Sequence, residues 1–310
     1  ISDGLMYGRG AVDMKGGIAC FVSALARFIQ NNGSVPGSVS FLITGDEEGP
    51  AINGSNKLLK WAAEKGETWD ACILGEPTNP DSIGDMMKIG RRGSLSGTLT
   101  VEGTQGHTAY PHLADSPTRG LITLLDALLA PPLDEGTEAF QSSNLEVNLL
   151  DVVGGAINVI PAKAEAVFNI RFNDLWSVES LKTEITNRLD TACSDKRLRA
   201  MKDKPIVYEL AWQPQPSQVF LTQNDALVET LGSSVEAITG KMPTRSTTGG
   251  TSDARFIKDY CPVVEFGLVG QTMHKVNECV ALDDLETLTQ IYERFIGDWF
   301  SAARQKEAAA

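Results

Sequence analysis

Cysteine and histidine are scarce in this sequence, and basic residues are outnumbered. Five cysteines (Cys20, Cys72, Cys193, Cys261, Cys279) are scattered among 310 residues, odd in number and without a CxxC pair. That excludes a disulfide framework and reads as free thiols in a reducing compartment, with a cytoplasmic location expected. No apolar run approaches the roughly 18 residues that span a bilayer, so a membrane segment is not expected. Twenty-seven basic residues face 40 acidic ones, a net charge of −13. A field of that sign repels nucleic acid and anionic membranes, so neither is an expected partner and an anionic substrate would need local basic residues. Neither the Walker spacing nor GxGxxG occurs, and there is no internal repeat. The remainder, 42% hydrophobic and 22% charged, is ordinary for a globular chain, and the length suggests two domains.

Hydrophobic spacing predicts an α/β fold. Ile18, Phe21, Val22, Leu25, Phe28 and Ile29 recur at helical intervals over 16–30; 38–43 reads as a strand, 55–65 as a helix and 71–74 as a second strand. Strands that are almost continuously apolar belong to a mostly parallel sheet with helices on both faces. From about residue 94 the pattern changes to alternation, as in Ala164, Ala166, Phe168, Ile170 and Phe172, with helical runs at 117–130 and 177–192. That predicts an inserted α+β domain with an antiparallel sheet over 94–214, dividing a catalytic domain into 1–93 and 215–310. Pro214 and Pro216 mark a linker back to a helix at 223–239, a strand at 262–266 and a last helix at 283–302. The alanine-rich end from Glu307 is expected to fray.

Acids and histidines cluster where α/β sheets place ligands, at strand ends. Asp13 follows Gly8-Arg9-Gly10-Ala11-Val12 and precedes a helix; alone, it serves equally as a helix cap. Asp46-Glu47-Glu48 follows the predicted strand at 38–43 and could be a solvated acidic loop. Neighbouring side chains on extended backbone point apart, however, so one glutamate can ligate a metal while the next faces a substrate. Glu76 lies in Gly75-Glu76-Pro77-Thr78, and His274 in Met273-His274-Lys275-Val276-Asn277-Glu278. Carboxylates with imidazole suit zinc, manganese or cobalt rather than calcium. His107 and His112 lie within the insert, and Gly249-Gly250-Thr251-Ser252-Asp253 is a loop suited to a carboxylate or, equally, a helix start.

Taken in order, GRGAVDMKGG, GDEEG, GEPT, GHTAYPH, GGTSD and MHKVNE resemble the dinuclear zinc aminoacylase and carboxypeptidase family over nearly the whole chain, from Leu5 to about Phe300. Within it, YPHLA and HKVNECV favour the succinyl-diaminopimelate desuccinylase branch over acetylornithine deacetylase; a carboxypeptidase or dipeptidase shares the metal set. The resemblance implies a zinc-exopeptidase-like fold, two zinc ions per subunit with cobalt as a substitute, and a homodimer joined through the insert. It implies that Asp13 bridges the metals, that Glu48 and His274 complete one and Glu76 serves the other, and that Glu47 is the general base. His107 would reach the oxyanion region from the partner subunit's insert. The implied substrate is a small molecule with several carboxylates, for which Arg91 and Arg92 are the local cations; Asn158 and Thr251 match substrate-contact positions and equally suit turn and cap duty.

The family's upstream His-x-Asp motif, which supplies a zinc-ligating histidine, has no counterpart here, and the chain opens at Ile1 rather than Met. The expectation is that an N-terminal piece, with any targeting signal, precedes this stretch, and that the chain by itself holds one zinc well and turns over poorly. A zinc-free scaffold is the reading from another class, and the presence of Glu47 argues against it.

Overall fold

The computed structural model describes every residue except 50, 153–155, 195–203 and 310, with side chains described through residue 302. The chain divides into two compact units, Ile1–Arg91 with Leu221–Ala310, and Arg92–Phe220. Gln213 N donates to Ser96 O (3.0 Å) and Ser217 N to Ser94 O (2.9 Å), so the proline-rich stretch between them lies within the second unit.

The first unit is α/β with a mixed sheet. Its four strands run in the order Thr244–Ser246, Met86–Lys88, Val263–Glu265, Cys72–Leu74. The two outer pairs are parallel and the middle pair is antiparallel. Helix Lys15–Asn32 packs along the long C-terminal helix Leu282–Ala309, which also packs against Asp225–Thr239. Helix Ser55–Glu64 packs against the short helix Ala254–Ile257. Apolar side chains from these strands and helices, among them Met87, Leu231, Val264, Phe266 and Leu288, close one core; the buried Tyr292 satisfies its hydroxyl by donating to Phe266 O at 2.5 Å.

Two local expectations are corrected. Residues 38–43 form no strand: none of their backbone groups joins a ladder among the described residues, and Phe41 and Ile43 remain exposed. β-branched and aromatic residues favour extended backbone, but a strand also requires a hydrogen-bonded neighbour. The C-terminal helix, in turn, continues to Ala309 rather than fraying at Glu307, as alanine's helix propensity favours.

The second unit is an antiparallel sheet, Tyr208–Trp212, Gly93–Glu102, Lys163–Phe172, Asn144–Asp151 in spatial order, with helices Pro117–Leu129 and Val178–Ala192 packed together and the first of them seated on the sheet. Burial alternates strictly along both central strands, as the sequence predicts, because one face is covered. Gly93 and Gly97 lie opposite Phe172 and Phe168. A Cβ at either glycine would come within 2.1 or 2.6 Å of the facing ring, so glycine is required for the aromatics to lie across the strand.

A candidate metal centre and a candidate anion grip

Asp13, Glu48 and His274 converge in the first unit. One ligand atom from each lies within 4.8 Å of the others. His274 Nε2 is 3.0 Å from Asp13 Oδ2 and 2.8 Å from Glu48 Oε1. Donors around a tetrahedral zinc, each about 2.0–2.1 Å from the ion, lie roughly 3.3 Å apart, so small outward shifts would accommodate one. Two carboxylates and an imidazole are donors that zinc accepts. The residues present therefore fit a divalent transition metal.

The electrostatics point the same way. Burial, then the Glu48 charge, raises Asp13 above the usual carboxylate range, although His274 pulls it back. His274 is raised by its hydrogen bond to Glu48 and by that carboxylate's charge. Glu47 is pushed up to about 7, first by burial and then by Asp253, Glu48 and Asp13. Glu76 is pushed up to about 8 by burial and by Glu47, Glu265 and Asp13. So many half-buried acids repel one another, and a bound cation relieves exactly that kind of strain.

Glu76 follows strand Cys72–Leu74, and its loop is brought near Asp13 by backbone packing. A Cβ on Gly17 would lie 2.6 Å from Gly75 O, so only glycine lets the first turn of helix Lys15–Asn32 approach this loop. Among the described residues Glu76 joins no group of three donors. Asp13 does not cap its helix: Met14 occupies the cap position and makes no side-chain cap bond. Thr251 is half-buried in the loop before helix Ala254–Ile257.

Arg91 is not an open cation. Its guanidinium forms a buried ion pair with Glu265, and its Nη1 also donates to Thr248 O (3.3 Å) and Gly250 O (3.2 Å). This corrects its expected role in gripping a substrate carboxylate, because a carboxylate already occupies the fork. Nearby Lys88 is buried without a carboxylate contact; Nζ donates to Ser246 Oγ (3.1 Å), Thr248 Oγ1 (2.7 Å) and Met86 Sδ (2.9 Å). Burial, reinforced by Arg91, lowers its pKa to about 8. The native state then holds fewer protons than the unfolded chain between about pH 8 and the free-lysine value near 10.4, so its penalty is full below pH 8 and fades as pH rises. Lys88→Met is expected to stabilise the chain by about 1–2 kcal/mol at pH 7 and to flatten the rise towards pH 10, measured by urea unfolding at both pH values.

The second unit holds the other polar groups. His107 pairs with Val159, and Asn158 O accepts from Thr108 N (3.0 Å) and Oγ1 (3.2 Å), so the histidine and asparagine loops are stitched together. His107 is exposed and its Nδ1 accepts the Ala109 N–H at 3.0 Å, which places the proton of the neutral ring on Nε2 as a donor. Gly154 and Gly155 of the adjoining motif lie outside the described residues. Arg92 Nη1 donates to Ser142 O (3.1 Å) and Asn144 Oδ1 (2.9 Å), but Arg92 Nε and Arg171 Nη1 are buried N–H groups with no acceptor among the described residues. Burial lowers both arginines, and Arg92 further lowers Arg171. The alternating pattern reads Arg171 as a solvent-facing strand position, which hides it; Arg92 also feels the charge of Asp134, and what sets the two arginines apart is a buried N–H on each that meets no acceptor among the described residues.

The sequence pattern of Peptidase family M20/M25/M40 matches residues 1–298. The chain belongs to that family. It is accordingly a metal-dependent hydrolase of the M20 type. The fold is similar to that of an M20 family metallo-carboxypeptidase, Sso-CP2, from Sulfolobus solfataricus, with a TM-score of 0.75, 17% identity, and 97% of this chain and 79% of that one covered. Aminopeptidase PepT from Bacillus cereus gives 0.74 and 18%, covering 96% and 75%. Human carnosine dipeptidase 1 gives 0.70 and 18%, covering 97% and 74%. No helix among the described residues is long and apolar enough to cross a membrane.

Proposed function

We propose that the chain hydrolyses the amide bond of N-succinyl-LL-2,6-diaminopimelate, releasing succinate and LL-2,6-diaminopimelate. The observation that supports a carboxylate-bearing substrate is the Arg92–Arg171 pair, where Arg92 Nε and Arg171 Nη1 meet no acceptor among the described residues of a protein otherwise rich in acids. Asp13, Glu48 and His274 hold the divalent ion, with zinc the expected metal and cobalt a substitute; Glu76 serves a second. When bound, the ion supplies Lewis acidity, polarising the amide carbonyl and acidifying water. Glu47 takes a proton from the attacking water as the new C–O bond forms, then delivers it to the amine nitrogen as the C–N bond breaks. Burial, the largest cause of its raised pKa, favours the protonated form that must hand the proton on. The partner's His107 donates from Nε2–H to the carbonyl oxygen as it gains charge, while Asn158 and Thr251 orient the substrate.

Arg171→Ala is expected to raise KM for the succinylated substrate about 10- to 100-fold with a smaller change in kcat, since a hydrogen bond to a charged group is worth about 1.5–3 kcal/mol. An unchanged KM removes the arginine from the substrate grip.

Homodimerisation through the insert is part of the proposal. Strand Asn144–Asp151 is the outermost of its sheet and exposes Leu149 (54%) and Leu150 (62%), an apolar edge suited to a second copy. Leu150→Arg is expected to convert a dimer to a monomer in light scattering and to abolish any activity that depends on the partner's His107.

The similarity to carboxypeptidase and dipeptidase structures favours a second reading, hydrolysis of short peptides; acetylornithine deacetylation is the nearest alternative among acylated amines. Rates on N-succinyl-diaminopimelate, N-acetylornithine and a set of dipeptides decide between them. The proposal expects kcat/KM for the succinylated substrate to exceed the others by at least about 100-fold, the discrimination that a polar site built for a carboxylate provides. Preference for a dipeptide overturns it.

A further inference from the structure

Glu278 lies four residues beyond His274 and is almost wholly buried, yet it belongs to none of the groups that would hold the metal or move protons. Its carboxylate spans the loop that carries Asp13. Oε2 accepts Gly10 N at 2.7 Å and Arg9 Nη1 at 3.0 Å; Oε1 accepts Val12 N at 2.8 Å and Asp13 N at 3.1 Å. Gly8 N donates to Glu278 O at 3.0 Å, and next to it strand Leu5–Tyr7 pairs with Cys279–Ala281. Arg9 also reaches Glu48 Oε1 at 3.5 Å. The segment that supplies the imidazole donor thus also grips the backbone of one carboxylate donor and, through Arg9, touches the other.

We infer that Glu278 is a positioning residue for the metal centre, a clamp that fixes the Gly10–Asp13 loop against the His274 segment so that the three donors are held at ligating separation before an ion arrives. The geometry is specific. Three N–H groups of one loop, those of Gly10, Val12 and Asp13, converge on one carboxylate, in the manner of an anion nest, and each carboxylate oxygen accepts from two donors, so a neutral amide would turn its NH2 group towards two of the four. Outer partners of this kind typically change metal affinity by about 10- to 100-fold. The inference rests on the reading of Asp13, Glu48 and His274 as metal donors.

The test uses Co2+ alone on the 310-residue chain and its Glu278→Gln and Glu278→Asp variants, with affinity from calorimetry, visible absorption of the bound ion, and far-UV circular dichroism of the metal-free proteins. The expected result is a folded variant whose Co2+ affinity falls about 10- to 100-fold and whose absorption bands shift, with Glu278→Asp retaining more affinity than Glu278→Gln. A folded variant with the parent's affinity and bands overturns the inference while leaving the metal site standing. Loss of folding in both variants also overturns it, by making Glu278 a residue of the fold as a whole. If the parent chain binds no Co2+, the metal-site reading fails first, and the inference with it.

Discussion

Glu47→Gln is expected to lower kcat by about 10²- to 10⁴-fold, the usual contribution of a positioned general base, while leaving the bound metal in place. The separation of these two effects follows from the site. Glu47 is adjacent to Glu48 in sequence, but only Glu48 joins Asp13 and His274 in the donor group. Glu47 instead takes its surroundings from burial and from Asp253, whose carboxylate accepts from Ser55 Oγ at 2.5 Å. Replacing the carboxylate by an amide keeps the size and removes the ability to carry the proton from water to the amine. The measurement is kcat and KM together with metal content by elemental analysis. Loss of metal alongside activity would make Glu47 a ligand, and near-parental kcat would remove it from the reaction.

His274→Ala carries the second large effect. The imidazole is the only nitrogen donor of the three, and its Nε2 lies 3.0 Å from Asp13 Oδ2 and 2.8 Å from Glu48 Oε1. Without it, Asp13 and Glu48 face each other with no cation between them. Zinc affinity is expected to fall by more than the roughly 10–100-fold that an outer partner costs, and hydrolysis to fall to background. An ion that binds only the folded state raises the unfolding midpoint by mass action, so added zinc should stabilise the parent chain and leave His274→Ala unmoved. Equal stabilisation of both by zinc would place the ion elsewhere.

Much of this architecture is legible in the sequence because it is local. The period of Ile18 to Ile29 marks a helix, and the alternation of Ala164 to Phe172 marks a half-covered strand, without reference to any other part of the chain. The proposed metal donors are legible as acids and a histidine in short motifs, Asp13 and Glu48 after glycine-containing turns. What is hidden depends on partners distant in sequence. Residues 38–43 have the composition of a strand but no neighbour to pair with. Arg91 has the chemistry to grip a substrate carboxylate, but Glu265, 174 residues away in sequence, takes its guanidinium. Arg171 occupies a polar strand position, and only its proximity to Arg92 makes it notable. Glu278 is visible as part of a motif, whereas its work on Gly10, Val12 and Asp13 is visible only once the two segments meet.

The central claim is that Asp13, Glu48 and His274 of this chain hold a catalytic divalent ion. Its most direct test is the zinc content of the 310-residue chain, by elemental analysis after saturation and removal of excess metal, with His274→Ala alongside. The account predicts close to one tightly held zinc per chain, lost in the variant. No retained zinc, or the same content in both proteins, would contradict it; two per chain would mean that donors beyond Asp13 and Glu76 complete the second site.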